Sequence, residues 1–317
     1  MELSIISVNW NATEFLRECI HSIYEQTKGI SFEIIVVDNA SPDRSIEQLP
    51  REFPDVKLVL SSQNLGFSRA NNLGSRRAAG EFLLFLNPDT RLVNPAINSM
   101  LEQARSLPDA GIVGCRHVSP DMSVQTSCIQ KFPTILNQLV NIEVLRMRWP
   151  ACPWWDISPL FAASDQPSRV EVISGACLLI RREAFERVGN FSEDYFMYAE
   201  DIDLNYKVAR LGLRNYFVPT GTLIHYGGKS SSQNKASQWA TLMQSKAMLQ
   251  FYAKTRGRLY AFAYRMSLTG AALGRLLLLG IVYPFVAWSR HREARRAVWN
   301  KWAAILKWSV GLGGVSV

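Results

Sequence analysis

Four short apolar runs in the first third of the chain each end in polar or acidic residues, and this pattern limits the fold more than any other feature. They occupy residues 3–8, 32–37, 56–60 and 82–86. Continuous hydrophobicity, as opposed to strict alternation, is what a strand needs when both of its faces are covered. After the first run, Phe15, Leu16, Cys19, Ile20 and Ile23 fall on one helical stripe, and residues 68–79 read as a second helix ending near Gly80. Strand and helix alternating at such intervals imply an α/β fold built on a parallel, doubly wound sheet. Ligands of such sheets sit outside the carboxyl ends of the strands. The polar clusters Asn9-Trp10-Asn11, Asp38-Asn39-Ala40-Ser41 and Asn87-Pro88-Asp89 stand at those ends. A site can therefore be placed before its chemistry is known.

The rhythm breaks over residues 116–170, which hold Pro120, Pro133, Pro150, Pro153, Pro159 and Pro167 with Trp149, Trp154 and Trp155. This stretch reads as a partly irregular excursion over the edge of the site. Regular structure is expected again at 170–180, in a helix at 182–188, and in a helix at 236–254. The division that follows is a catalytic domain over residues 1–245 and a helical, basic and apolar tail over 246–317.

The formal net charge is +8, yet twelve Lys or Arg and a single acid, Glu293, lie after residue 245. The first 245 residues are thus net acidic. Basic charge set beside apolar runs, and not on a groove-shaped module, excludes nucleic acid as the partner and fits a membrane surface. The tail runs 266–274 and 276–289 are bounded by Arg265, Arg275 and Arg290, and Pro284 interrupts the second. Each is shorter than the roughly 18–20 residues of a spanning helix. Arg290, Arg292, Arg295 and Arg296, followed by Trp299, Trp302 and Trp308, suit an anchor lying in the interface; a packed helical subdomain or a dimer-forming hairpin reads from the same residues. The five cysteines form no C-x-x-C pair, which favours a reducing compartment, and the N-terminus lacks a basic n-region and a long h-region. The expected location is the cytoplasmic side of the inner membrane, peripheral or monotopic.

Four places could carry chemistry. Asp38 can accept hydrogen bonds from a base or a ribose, or can simply support its own turn. Asp89, beside a proline-stiffened turn, can bind a hard divalent cation or cap a helix. Glu200, Asp201 and Asp203 exceed what helix capping requires, and crowded acids raise one another's pKa as a general base needs. His225 follows an apolar run and is either structural or a metal ligand paired with Asp89. Gly228-Lys229-Ser230 ends like a phosphate loop, but Leu223 stands where the earlier glycine belongs. No G-x-G-x-x-G follows the first run, and G-x-S-x-G is absent. Nicotinamide dehydrogenases, Walker-type NTPases and serine hydrolases are thereby set aside.

Seven segments in order resemble the family-2 glycosyltransferases with the GT-A fold, in particular their rhamnosyltransferase-like branch. They are residues 4–11, 36–43, 64–72, 84–90, 174–181, 196–203 and 225–228. The resemblance implies that Asp38 reads the nucleotide base, and that Asn64, Gly66 and Asn71 line the nucleoside pocket. It implies further substrate contacts from Asn9, Asn87 and Glu200. Asn87-Pro88-Asp89 corresponds to the D-x-D motif, with Asn87 replacing its first acid, so Asp89 and His225 would hold Mg²⁺ or Mn²⁺. Asp201 matches the general base of an inverting displacement. The implied donor is a dTDP- or UDP-linked sugar, with L-rhamnose favoured by the branch, and the implied acceptor is a lipid-linked or cell-envelope glycan. Two rivals are a nucleotidyltransferase on a similar scaffold, for which the Gly-rich loop after the first strand is missing, and a catalytically degenerate, membrane-tethered scaffold.

Overall fold

The computed structural model describes residues 1–43, 45–140, 148–149, 152, 155, 165–227, 236–286 and 292–312. Pro150, Pro153, Trp154, Pro159, Gly228-Lys229-Ser230 and Arg290 lie outside the described residues. Two compact units result, one of residues 1–132, 143–196 and 200–230, the other of 133–142, 197–199 and 231–317.

In chain order the first unit carries β1 (Leu3–Asn9), α1 (Thr13–Gln26), β2 (Phe32–Asp38), α2 (Leu49–Glu52), β3 (Lys57–Leu60), α3 (Gly66–Ser75), β4 (Phe82–Leu86), β5 (Thr90–Leu92), α4 (Ala96–Ser106), β6 (Ala110–Val118) and β7 (Ile129–Gln130). The short helix α5 (Ile135–Val140) belongs to the second unit. The first unit continues with β8 (Ser168–Val170), β9 (Val172–Ile173), β10 (Cys177–Arg181), α6 (Arg182–Arg187), α7 (Glu200–Arg210) and β11 (Arg214–His225).

The main sheet runs β3-β2-β1-β4-β10-β6-β11-β5, with β8 also on β11. Its first four strands are parallel, pairing Asn9 with Asp38 and Ile6 with Phe85. That half matches the parallel sheet expected from the apolar runs. The other half does not: β10 enters antiparallel between β4 and β6, and β5 and β8 run antiparallel to β11. Direction was not encoded in the hydrophobicity, because Cys177-Leu178-Leu179-Ile180 is as apolar as any of the parallel runs. The consequence for function is geometric. An antiparallel β10 begins where β4 ends, so the segment before β10 arrives beside Asn87-Pro88-Asp89.

Alternate residues of each strand divide between two cores, as the period of two demands. Leu3, Ile5, Ile34, Val36 and Leu84 pack with Leu16, Ile20, Ile97 and Met100 of α1 and α4. Ile6, Ile35, Leu83 and Phe85 pack with Phe185, Phe191, Leu204 and Val208 on the other face. Burying one such side chain is worth about 1.5–3 kcal/mol, so the two layers hold the strand ends in place.

The second unit holds α8 (Ala236–Arg256), α9 (Arg258–Val286) and α10 (Arg292–Ser309). The two tail runs form one continuous helix, and Pro284 does not end it until Val286. The arginines that bound the first run turn toward α10: Arg265 Nε donates to the Ser309 carbonyl at 2.6 Å, and the Arg275 guanidinium lies 4.1 Å over the Trp302 ring. Among the described residues no helix is long and apolar enough to cross a membrane.

Candidate active site

At the carboxyl end of β2, Asp38 is almost wholly engaged by its own surroundings. Oδ1 accepts from Asn9 Nδ2 at 2.9 Å and from Ser41 Oγ at 2.6 Å, while Oδ2 accepts from the Ser41 amide at 3.0 Å. Asn9 is fully buried, and its Oδ1 has no hydrogen-bond partner among the described residues. The next residue, Asn39, joins this end to the turn before α3. Its Oδ1 accepts from Leu65 N at 2.8 Å, and its Nδ2 donates to Asn64 Oδ1 at 3.0 Å. Asn64 Oδ1 also accepts from Gly66 N at 2.9 Å. Gly66 sits at φ +75°, and a Cβ there would come within 2.2 Å of the Phe196 carbonyl oxygen. Only glycine permits that approach, which lets the Phe67 amide donate to the same oxygen at 2.9 Å. Asn71 is buried and donates to the Phe67 carbonyl inside its own helix.

At the end of β4, Asp89 is buried and faces His225, with Oδ1 and Nε2 3.6 Å apart. β5 and β11 bring them together by pairing Thr90 with His225, and the Tyr226 amide donates to the Asp89 carbonyl at 3.0 Å. Gln125 sets the imidazole. Its Nε2 donates to the His225 carbonyl at 2.6 Å and to Ser119 Oγ at 3.3 Å, which turns Oε1 toward Nδ1 at 3.0 Å. An amide oxygen only accepts, so this network puts a hydrogen on Nδ1, and in the neutral tautomer with that hydrogen the lone pair is on Nε2. A carboxylate oxygen and an imidazole lone pair then face each other. Two acceptors in that position suit a divalent cation, and the small ligand count leaves room for phosphate oxygens and water. Asn87, half-buried, bonds through its backbone: its amide donates to the Ala176 carbonyl at 2.9 Å, and its carbonyl accepts from Thr90 Oγ1 at 2.7 Å.

The third group opens α7. Tyr198 and Ala199 both hold positive φ, at 71° and 63°, an uncommon conformation for residues with a Cβ, and Glu200 starts the helix immediately after. Glu200 is buried, and its Oε2 has no partner among the described residues. Burial first, and the neighbouring Asp201 charge second, push its carboxyl up to about 8. Burial also raises Asp201, although the Gly175 and Ile202 amides work the other way. Those amides fix both oxygens: Gly175 N donates to Oδ2 at 2.9 Å and Ile202 N to Oδ1 at 2.8 Å. Asp203 is different. It accepts from Ser192 Oγ at 2.5 Å and from the Tyr195 hydroxyl at 3.4 Å, and lies 3.5 Å from Lys207 Nζ.

These groups adjoin one another in a fixed order. Gly175 binds Asp201, and the next residue, Ala176, binds Asn87, two positions before Asp89 and hence beside His225. On the other side, Phe196 ties the approach to α7 to Gly66, and Gly66 leads through Asn64 and Asn39 to Asp38.

Residues 4–189 match the sequence profile of glycosyl transferase family 2. The chain belongs to glycosyl transferase family 2. It is 30% identical, over 75% of its length and 80% of the relative's, to an N-acetylglucosaminyl-diphospho-decaprenol L-rhamnosyltransferase of Mycobacterium tuberculosis. The rhamnosyltransferase WbbL of Escherichia coli is 25% identical over 80% of this chain and 93% of its own. Among solved structures, the mannosyltransferase PcManGT of Pyrobaculum calidifontis, in complex with GDP-Man and Mn²⁺, superposes with a TM-score of 0.59 at 17% identity, covering 98% of this chain and 86% of that one. GalNAc-T7 with UDP, GalNAc and Mn²⁺ gives a TM-score of 0.56 at 16% identity, over 80% of this chain and 51% of that one. The chain is therefore a glycosyltransferase with the GT-A fold and a helical C-terminal region.

Several contacts that shape this glycosyltransferase site have no signature of their own in the sequence. Asn39 and Ser41 were visible only as neighbours of Asp38. Asn72 exchanges hydrogen bonds with Phe191, its Oδ1 accepting at 3.1 Å and its Nδ2 donating at 2.9 Å, which no local pattern announces. Gly175 makes close approach possible, since a Cβ there would lie 3.1 Å from that of Asp201. Gln125 sits in the irregular stretch, where no periodicity singles it out.

Proposed function

We propose that this family-2 glycosyltransferase moves a sugar, L-rhamnose before other hexoses, from a dTDP- or UDP-linked donor to a lipid-linked or cell-envelope glycan, with inversion at the anomeric carbon. One observation carries the reading. A single backbone segment, Gly175-Ala176, hydrogen-bonds to the Asp201 carboxylate on one side and to Asn87, two residues before Asp89 of the Asp89–His225 pair, on the other. The name of the mycobacterial relative supports rhamnose and a diphospho-lipid acceptor, and the Mn²⁺ held by the two structural neighbours supports a divalent cation.

Asp89 and His225 would hold Mg²⁺ or Mn²⁺, whose charge would neutralise the departing diphosphate. Asn9, Asp38, Asn64, Gly66 and Asn71 form the nucleoside end, and Asn87, two residues before Asp89, is a further substrate contact. Asp201, its oxygens oriented by two amides and its proton affinity raised by burial, accepts the proton of the attacking acceptor hydroxyl. That oxygen approaches from the face opposite the diphosphate, so one displacement inverts the centre. Glu200 is neutral near pH 7 and donates a hydrogen bond to substrate. Residues 1–245 form the catalytic domain, and residues 246–317 bring it to the cytoplasmic face of the membrane that carries the acceptor.

The test is a donor panel with purified protein, acceptor lipid in vesicles and Mn²⁺, with nucleoside diphosphate release and product configuration as readouts. Transfer from a dTDP- or UDP-sugar with inverted configuration is expected. Retention, or release from no donor of either kind, contradicts it.

A further inference from the structure

The tail expectation placed the membrane contact on the tryptophans and arginines, but the packing of the second unit uses several of them internally. Trp302 lies under Arg275, and Trp308 is half-buried with Arg265 Cζ 5.9 Å from its ring. Trp299 and Arg296 stay exposed, and a longer open surface lies on α9. Along α9, Leu259, Phe262, Met266, Leu273, Leu277 and Ile281 are exposed, from 42% at Met266 to 82% at Leu259. At 3.6 residues per turn these positions keep to one face, and at 1.5 Å per residue they extend for about 33 Å. Gly270 and Gly274 fall on the same face, and a Cβ on either would meet nothing within 4 Å. No charged side chain interrupts the stripe, since Arg265 and Arg275 point toward α10 and Arg258 stands before its start. A contiguous apolar face of this extent marks an interaction surface.

The charge around it selects the occupant. Lys254, Arg256, Arg258, Arg296, Lys301 and Lys307 are exposed in the same unit, and Glu293 is the only acid after residue 245. A second copy would bring the same positive charge to the contact, whereas an anionic lipid surface complements it. An uncharged apolar stripe on a strongly basic helical unit is the composition of a helix that lies in the plane of a bilayer.

We propose that the Leu259–Ile281 face of α9 is a lipid-docking surface, which lies along an anionic bilayer without crossing it. Its apolar side chains enter among the acyl chains, and the surrounding lysines and arginines meet the headgroup phosphates. The inference deepens the membrane part of the proposed function by naming the face and the lipid charge.

The experiment is co-sedimentation of the full chain with vesicles of phosphatidylglycerol or of phosphatidylcholine, at low and high salt. Parallel samples measure nucleotide-sugar binding by calorimetry and mass by light scattering. Binding to phosphatidylglycerol that weakens with salt is expected, with at least tenfold weaker binding to phosphatidylcholine. Phe262→Asp with Leu277→Asp, both at exposed positions, should lower vesicle binding at least tenfold while circular dichroism and nucleotide-sugar binding stay unchanged. Arg296→Glu with Lys301→Glu should lower the preference for anionic lipid. Wild-type binding by the aspartate pair overturns the proposal, as does equal binding to both lipids. A wild-type dimer that the aspartate pair converts to monomer, without vesicle binding by either, assigns the face to a second copy and also overturns it. Failure of the transferase reading is separate: it would remove nucleotide-sugar binding and leave vesicle binding intact.

Discussion

Asp38 and Asp89 stand at the carboxyl ends of β2 and β4, the two strands that flank β1, yet they are held in opposite ways. Asp38 accepts three hydrogen bonds, two from side chains and one from an amide, within its own corner. Asp89 faces a single imidazole whose lone pair is turned toward it. The same contrast recurs on α7, where Asp203 is satisfied by Ser192, Tyr195 and Lys207, while Asp201, among the described residues, is held by the Gly175 and Ile202 amides. Position in the fold decides which acids come near the ligand. What already binds each acid decides whether it can bind or react.

That contrast can be broken by substitution. The largest effect is expected from Asp201→Asn, which removes the proposed proton acceptor and keeps one of its two amide contacts, since the amide nitrogen cannot accept. Turnover should fall by about 10²–10⁴ with donor affinity unchanged, measured by single-turnover transfer and calorimetry. Gln125→Ala frees the His225 ring and should weaken Mn²⁺ binding by about 10–100-fold, as loss of an outer partner of a metal-bound histidine does. Asp203→Ala should leave transfer chemistry alone but cost about 1–3 kcal/mol of stability in urea, because Ser192, Tyr195 and Lys207 lose the carboxylate they share. The last test works through pH and concerns Glu200. Its pKa is about 8 in the folded chain against 4.5 as the ordinary value. The folded state therefore keeps a proton that the unfolded state releases, and stability falls as pH rises from about 4.5 to 8. Glu200→Gln should flatten that dependence in urea melts at pH 5 and pH 8.

The sequence carried the parts of this arrangement that burial writes plainly. A strand covered on both faces must be apolar throughout, so β1, β2 and β4 and the polar residues at their ends could be read directly. Strand direction was not legible, because Leu178, Leu179 and Ile180 satisfy a buried strand in either sense. The antiparallel entry of β10, which carries Gly175 and Ala176 to the site, had no local signature. Gln125 was hidden for another reason. Its role depends on His225, one hundred residues away, and an amide in an irregular segment looks like any other. The tail was legible in charge but not in orientation, since only packing shows that Arg265 and Arg275 face inward and that Leu259 and Leu277 do not.

The most direct measurement is Mn²⁺ binding followed by electron paramagnetic resonance, with nucleoside diphosphate present, for the wild type, Asp89→Asn and Asp38→Asn. The account predicts that Asp89→Asn loses bound Mn²⁺ and that Asp38→Asn retains it. Equal loss in both variants, or Mn²⁺ bound as tightly by Asp89→Asn as by the wild type, would contradict it.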